Sequence, residues 1–258
     1  MTALHWPLES ISQAIAPLLP GFTAEVLPEI DSTNSELIRR ARAGLTSPTL
    51  LVAEAQTGGR GRMGRVWQSE PGQPGSMLAF SVGMRLAPPD WSGLSLAVGL
   101  AVANSLHPEI RIKWPNDLWW QGRKLAGILV ETAGAGNTGS RFVVIGVGIN
   151  VLPLEGADFS TPPAWLTGIE PTLDAPAALA RVAAPLVRAV QAFEQEGFAP
   201  LAERFNARDA FAHTDVRLSD GTEGRALGVA ANGALRVRTS EGVREIISAE
   251  VSVRPKAS

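Results

Sequence analysis

From about residue 212 onward the chain breaks into short alternating runs: Asp215–Leu218, Arg225–Val229, Ala234–Arg238, Val243–Ile247 and Val251–Val253. Asp220-Gly221, Asn232-Gly233 and Glu241-Gly242 separate them. Such dipeptides supply the left-handed backbone that tight hairpins require, and a recurrence of roughly ten residues leaves room only for short strands. The tail therefore reads as a five-stranded β module of the SH3-like kind over residues 212–258.

Residues 1–211 have a different texture. An amphipathic segment runs from about Leu8 to Leu19, followed by strand-like Phe22 to Ile30. Thr33 and Glu36 have capping-box spacing, with Leu37, Ile38 and Ala41 at helical intervals up to Gly44. A strand over 49–55 and an alternating strand Met77–Met84 come next. Trp91 to Leu106 is apolar nearly all round, as a buried helix is. Ile110–Trp114, Leu125–Thr132 and Arg141–Asn150 read as strands, with Ala133–Ser140 as a hairpin loop. Asp174 and Pro176 open a helix whose Leu179, Val182, Leu186, Val190 and Phe193 form one core stripe. The whole is an α+β chain: a mixed sheet with flanking helices, then the β module.

Composition narrows the functions. A formal net charge of −2 argues against a general nucleic-acid binder, whose affinity comes from excess Lys and Arg, yet permits one local anion site. With no cysteine there is no disulfide, thiolate metal site or cysteine nucleophile. His5, His107 and His213 are scattered and make no zinc spacing. The N-terminus lacks a signal peptide's basic start and apolar run. The most apolar stretch, Leu94 to Leu106, is too short to cross a bilayer and carries Ser95 and Asn104. A soluble cytoplasmic protein is expected.

Chemistry concentrates in a few segments. Gly59-Arg60-Gly61-Arg62-Met63-Gly64-Arg65-Val66-Trp67 leaves the strand over 49–55. Its glycines let backbone approach a ligand, and its arginines offer donor forks for phosphate or carboxylate. A solvated basic turn or an RNA-binding Arg/Gly segment has the same composition. Asp31-Ser32-Thr33-Asn34 opens a helix, where free N–H groups bind an anion or a polar ring, or simply cap the helix. Lys113-Trp114-Pro115-Asn116-Asp117 brings a cation, an amide and a carboxylate to a strand end, a set suited to a nucleotide and its Mg²⁺. Lys124 precedes the strand Leu125–Thr132, where a lysine is ordinarily a solvated strand start. Gly146-Val147-Gly148-Ile149-Asn150 is no dinucleotide fingerprint, and no Walker A motif occurs.

In combination and order, these segments, with Ala53-Glu54-Ala55-Gln56 and Lys124-Leu125-Ala126-Gly127-Ile128-Leu129, closely resemble the biotin protein ligases. The resemblance runs from about residue 25 to 255 and implies a class II synthetase-like (biotin/lipoate ligase) catalytic domain with a small C-terminal SH3-like barrel. It implies that Ser32, Thr33, Asn34 and Gln56 bind the ureido ring of biotin. Arg60, Gly61 and Arg62 would wrap the carboxylate and α-phosphate, supported by Arg65. Gly59, Trp67, Gly127 and Gly148 are further biotin- and nucleotide-binding positions. Lys124, Arg62 and Asp117 would be catalytic, with Asp117 the candidate base. Asn116 and Asp117 would serve the phosphates and Mg²⁺, and Asn150 and Trp165 the adenine.

The implied substrates are biotin and ATP, with Mg²⁺, and the implied partner is a biotin carboxyl carrier domain. Biotinyl-5′-AMP would form first, and biotin would then pass to an acceptor lysine. Gly58–Val66 and Leu154–Trp165 are expected to order over the ligand. Two departures stand out. Met63 replaces an arginine that many members carry, and the residues before the catalytic domain are too few for the winged DNA-binding domain of the repressor members. A ligase without DNA or membrane binding is expected; homodimerisation is left open. A lipoate ligase or transferase is the enzymatic alternative, and an RNA-binding protein the non-enzymatic one.

Overall fold

Two separate sheets divide the polypeptide. The computed structural model describes residues 4–67, 73–134, 139–153, 161–247 and 253–255. The first sheet has seven strands: β1 (Thr23–Ile30), β2 (Thr49–Gln56), β3 (Met77–Leu86), β4 (Arg111–Lys113), β5 (Asp117–Trp120), β6 (Arg123–Ala133) and β7 (Arg141–Asn150). Their order is β1-β2-β3-β7-β6-β5-β4; β1 runs parallel to β2, and every other pairing is antiparallel. The sheet is mixed, as read from the sequence. The β6–β7 pairing, with Ala133 opposite Phe142, fits the expected hairpin at Ala133–Ser140, of which 135–138 lie outside the described residues.

Of the helices α1 (Leu8–Ile15), α2 (Thr33–Arg42), α3 (Leu94–Leu106), α4 (Leu166–Ile169), α5 (Ala175–Glu196) and α6 (Ala202–Asn206), the four longest, α1, α2, α3 and α5, pack on this sheet, and α6 packs on α3 and on the second sheet. The stripe Leu179, Val182, Leu186, Val190 and Phe193 on α5 is fully buried, as its spacing predicts. The helix expected from Trp91 begins at Leu94, because Gly93 precedes it at φ +85° and a Cβ there would strike Phe198. The strand Met77–Met84 was expected to alternate, yet β3 is buried on both faces except at Arg85. It lies mid-sheet with α5 against it on one side and α2 on the other. Burial on both faces erases the period-two signal. Strand β5 was not foreseen, since Leu118-Trp119-Trp120 is too short a run to show a period.

The second sheet is wholly antiparallel, in the order β11-β10-β9-β8-β12. It comprises β8 (Asp215–Leu218), β9 (Glu223–Val229), β10 (Leu235–Thr239), β11 (Gly242–Ile246) and β12 (Val253–Pro255). The turn residues Gly221, Gly233 and Gly242 all have positive φ, which accounts for the dipeptide signals. The last expected strand, Val251–Val253, falls partly on 251 and 252, outside the described residues; its pairing with β8 begins at Val253.

Candidate active site

A cavity of about 600 Å³ opens on the large sheet. Its polar head is the start of α2. Ser32, not Thr33, is the N-cap: its hydroxyl accepts from Ser35 N at 3.4 Å. That frees Thr33 and Asn34, both buried, for longer-range contacts. Thr33 N donates to Gln56 Oε1 at 2.8 Å. Asn34 Nδ2 donates to Leu129 O (3.2 Å) and Glu131 Oε2 (2.9 Å). Behind them Ser81, fully buried on β3, donates to Asn34 Oδ1 at 2.6 Å and meets Thr33 Oγ1 at 2.7 Å. The network fixes which way the amide and hydroxyls point. Beside it, Arg39 grips Asp31 through two nitrogens and holds its carboxyl down at about 2.

Glycines make the floor. A Cβ on Gly146 would overlap the Asn34 amide, and one on Gly148 the Trp67 indole. A Cβ on Gly127 would come within 3.1 Å of the same ring. Trp67 therefore lies flat on β6 and β7, its Nε1 donating to Met77 Sδ at 2.8 Å. Lys124 Nζ stands 5.5 Å from the ring centroid.

The Gly/Arg segment forms the cover. Gly61 N donates to Arg65 O (2.7 Å) and Trp67 N to Gly59 O (2.9 Å), which closes it on itself. Arg60 is paired with Glu131 at 2.7 Å. Arg62 donates through Nη1 to Asn116 Oδ1 at 2.9 Å, but its Nη2 is buried with no partner among the described residues. Burial pulls the Arg62 pKa below the usual guanidinium range; Asp117 opposes this and Arg65 adds to it. A buried guanidinium donor without an acceptor calls for an anion.

On the far wall, Lys124 Nζ meets Asp117 Oδ1 at 2.8 Å and Lys113 Nζ lies 3.7 Å from Oδ2. Burial lowers the Lys113 pKa, partly offset by Asp117. Asn150 Nδ2 donates to Lys124 O (3.2 Å) and Ala164 O (3.0 Å), which ties β6 to the following segment. Among the described lining residues stand six cations, Arg60, Arg62, Arg65, Lys113, Lys124 and Arg254, against one carboxylate, Asp117. A chain of net charge −2 thus concentrates positive charge in one cleft.

All the expected site residues line this cavity except Gly59 and Trp165. Gly59 is the pivot of the cover, where a Cβ would strike the Trp67 carbonyl. Trp165 caps α4, its indole against Gly168 near Trp120. Of the expected covering loop Leu154–Trp165, residues 154–160 lie outside the described residues, and Thr161 to Pro163 line the cavity. The sequence assigned no role to Ser81, Glu131 or Arg254, which carry no local signal, whereas Lys113 was visible as the cation of its motif.

Asn116 and Asp117 do not fit a protein-held magnesium. Both Asp117 oxygens face ammonium groups, Asn116 Oδ1 faces a guanidinium, and no three His, Cys, Asp or Glu side chains converge among the described residues.

Two family models match the chain. The model of the biotin/lipoate A/B protein ligase family matches residues 26–150, and that of the biotin protein ligase C-terminal domain matches 215–254. The bifunctional ligase/repressor BirA of Escherichia coli (strain K12) is 37% identical over 247 residues, 92% of this chain and 75% of the relative. The chain belongs to the biotin protein ligase family. Another member, the biotin–[acetyl-CoA-carboxylase] ligase of Paracoccus denitrificans, is 34% identical over 88% of this chain and 98% of its own. Among solved structures, the biotin protein ligase of Aquifex aeolicus in complex with biotin and ATP superposes with a TM-score of 0.77 at 29% identity, covering 90% of this chain and 99% of that one. The match to the C-terminal domain sets the chain with biotin ligases rather than the lipoate alternative.

Proposed function

We propose that this chain joins biotin to ATP as biotinyl-5′-AMP and then transfers biotin to one lysine of a biotin carboxyl carrier domain. The observation that carries the reading is Arg62, whose Nη2 is buried and without a partner among the described residues, in a cleft of six cations beside a closed polar head. The head, Ser32, Thr33, Asn34 and Gln56, suits the ureido ring. The glycine floor and Trp67 suit the apolar remainder of biotin. Two relatives carry ligase names and the Aquifex structure holds biotin and ATP, which supports the same assignment.

Chemistry follows from charge. A biotin carboxylate oxygen attacks the α-phosphorus of ATP and the bond to pyrophosphate breaks. Arg60, Arg62 and Lys124 are placed to offset the charge that builds there, and alignment supplies much of the rate. Lys113 and Arg254 also line the cavity, and we assign them to the departing phosphates. In the second step the acceptor amine attacks the acyl carbon and AMP leaves; Asp117 is the proposed proton acceptor. Magnesium would enter with the nucleotide, held mainly by phosphate oxygens and water, and would offset phosphate charge there. We take 1–211 as the catalytic domain, 212–258 as the module, and the cytoplasm as the location. Among the described residues no helix is long and apolar enough to cross a membrane.

The test is direct: purified protein, biotin, ATP and a biotin carboxyl carrier domain, read by streptavidin blot and mass. A biotinylated lysine formed only with ATP supports the reading. Labelling with lipoate instead of biotin would move the chain to the alternative.

A further inference from the structure

The cavity is built from both sheets. Val253, Arg254 and Pro255 of β12 join the catalytic residues in its wall, so the second sheet must sit in a fixed register on the first. One buried hydrogen bond between the two sides is placed to set it. Trp114 is buried, and its indole Nε1 donates at 3.1 Å to the carbonyl of Gly233, 119 residues away in the β9–β10 turn.

That turn is pressed hard against the catalytic side. Gly233 has φ +81°, and a Cβ there would lie 3.0 Å from Gly93 Cα and 3.3 Å from Leu96 Cδ1. Two residues beyond Gly93, Ser95 Oγ donates to Pro115 O at 3.0 Å. The start of α3 therefore touches both the turn and the Lys113–Asp117 segment. A second clamp lies at the end of β9, where Val229 N donates to Asn206 Oδ1 (2.7 Å) and Asn206 Nδ2 to Val229 O (3.2 Å). From β9 the pairing continues through β8 to β12, and so back to the cavity. The path starts at Lys113 and Asp117, crosses at Trp114–Gly233 and returns to the cavity at Arg254.

We propose that Trp114 is a positioning residue, whose bond to Gly233 registers the C-terminal module so that Arg254 lines the cavity and meets the nucleotide there. The biotin head is built on β2, β3, β6, β7 and α2, none of which the bond touches. Loss of the bond therefore weakens use of ATP and spares biotin. The inference rests on the reading that ATP and biotin both bind in this cavity.

The experiment compares wild type, Trp114→Phe, Gly233→Ala, Arg254→Ala and the double variant Trp114→Phe/Arg254→Ala in steady-state pyrophosphate release, with thermal unfolding of each. Trp114→Phe keeps the buried ring and removes only the donor. Gly233→Ala shifts the turn without touching the cavity, and carries the test if the Phe variant does not fold. The expected result is an ATP KM raised about tenfold in each single variant, the scale for a buried acceptor left unpaired, with biotin KM unchanged. The double variant should be no worse than Arg254→Ala alone, because Trp114 acts through that residue. A loss of kcat with both KM values unchanged, or additive effects in the double variant, overturns the proposal. A wild type inert toward biotin and ATP would instead sink the reading of the cavity, and this inference with it.

Discussion

Lys124 Nζ stands 2.8 Å from Asp117 Oδ1, across the antiparallel pair β6 and β5. The register there is irregular between Leu118 and Trp119, so Trp119 lies opposite Lys124 itself. A flexible lysine loses rotamer freedom when it is fixed, and the carboxylate compensates for that loss before substrate arrives. The pair thus holds the ammonium extended over the glycine floor, where the reacting carboxylate and α-phosphate are proposed to meet.

Lys124→Ala is expected to cut adenylate synthesis by on the order of a hundredfold or more, the scale for losing one preorganised charge donor. The unfolding midpoint should change little, since Asp117 retains Lys113 as a partner. Pyrophosphate release with biotin and ATP measures it, and a near-normal rate would remove Lys124 from the chemistry.

Arg62→Gly removes the guanidinium whose Nη2 has no partner among the described residues. The adenylate should then escape before transfer and label lysines of bystander proteins. Incubation with an unrelated protein, followed by streptavidin blotting, reads this. Strict acceptor specificity at an unchanged rate would mean that Arg62 does not clamp the intermediate.

Much of this was legible because turns and anion loops use residues whose backbone or side-chain chemistry is distinctive. Gly221, Gly233 and Gly242 marked the hairpins, and the Gly/Arg run marked the cover of the cavity. What stayed hidden works at a distance. Ser81 looks like any serine in an apolar strand, and only the fold sets it behind Thr33 and Asn34, 48 and 47 residues away. Arg254 sits near the chain end with no motif around it, and the closing of the second sheet by β12 carries it to the cavity. Thr33 misled the capping argument because Thr33 and Glu36 have the right spacing, while Ser32 one residue earlier takes the cap.

Ser81→Ala leaves Asn34 Oδ1 and Thr33 Oγ1 without a partner they hold in a fully buried position. A loss of about 1–3 kcal/mol in ring recognition is expected. Biotin KM should rise roughly tenfold to a hundredfold, with ATP KM unmoved. Isothermal titration with biotin alone checks it; an unchanged affinity would show that the head holds its shape without the serine.

Asp209 gives a pH dependence of unusual sign. Burial raises its pKa from 3.8 to about 6, with the Phe211 amide and His213 opposing, and Oδ2 has no partner among the described residues. The folded state therefore holds a proton that the unfolded chain releases near pH 3.8, so this group's contribution to stability falls as pH rises from about 4 to 6. Asp31, held at about 2, contributes in the opposite direction and in a lower window. Asp209→Asn should flatten the profile between about pH 4 and 6 and stabilise the protein at neutral pH by on the order of 1–3 kcal/mol. Urea unfolding of both proteins across that range measures the difference, and parallel profiles would mean that Asp209 titrates normally.

The cover, Gly58–Val66, should tighten when ligand arrives. Its internal bonds from Gly61 N to Arg65 O, Arg65 N to Arg62 O and Trp67 N to Gly59 O set its shape, and Gly58 N to Asp31 O ties its start to the head of α2. Among the described residues, the amides of residues 59–66 make no backbone bond outside the segment. Met63 takes φ +57°, an unfavourable backbone for a side chain of its size, and is 59% exposed; Val66 is 75% exposed. The biotin carboxylate and α-phosphate offer Arg62 Nη2 the acceptor it lacks among the described residues, and compete with Glu131 for Arg60. Ligand that favours the closed arrangement shifts the population toward it. Hydrogen exchange should therefore show most amides of this segment exchanging fast in the free protein, with Gly58, Gly61 and the adjoining Trp67 slowest because they are hydrogen-bonded, and all protected with biotin and ATP. Equal protection without ligand would establish a preformed cover, and shielding of the adenylate would then rest on a rigid pocket.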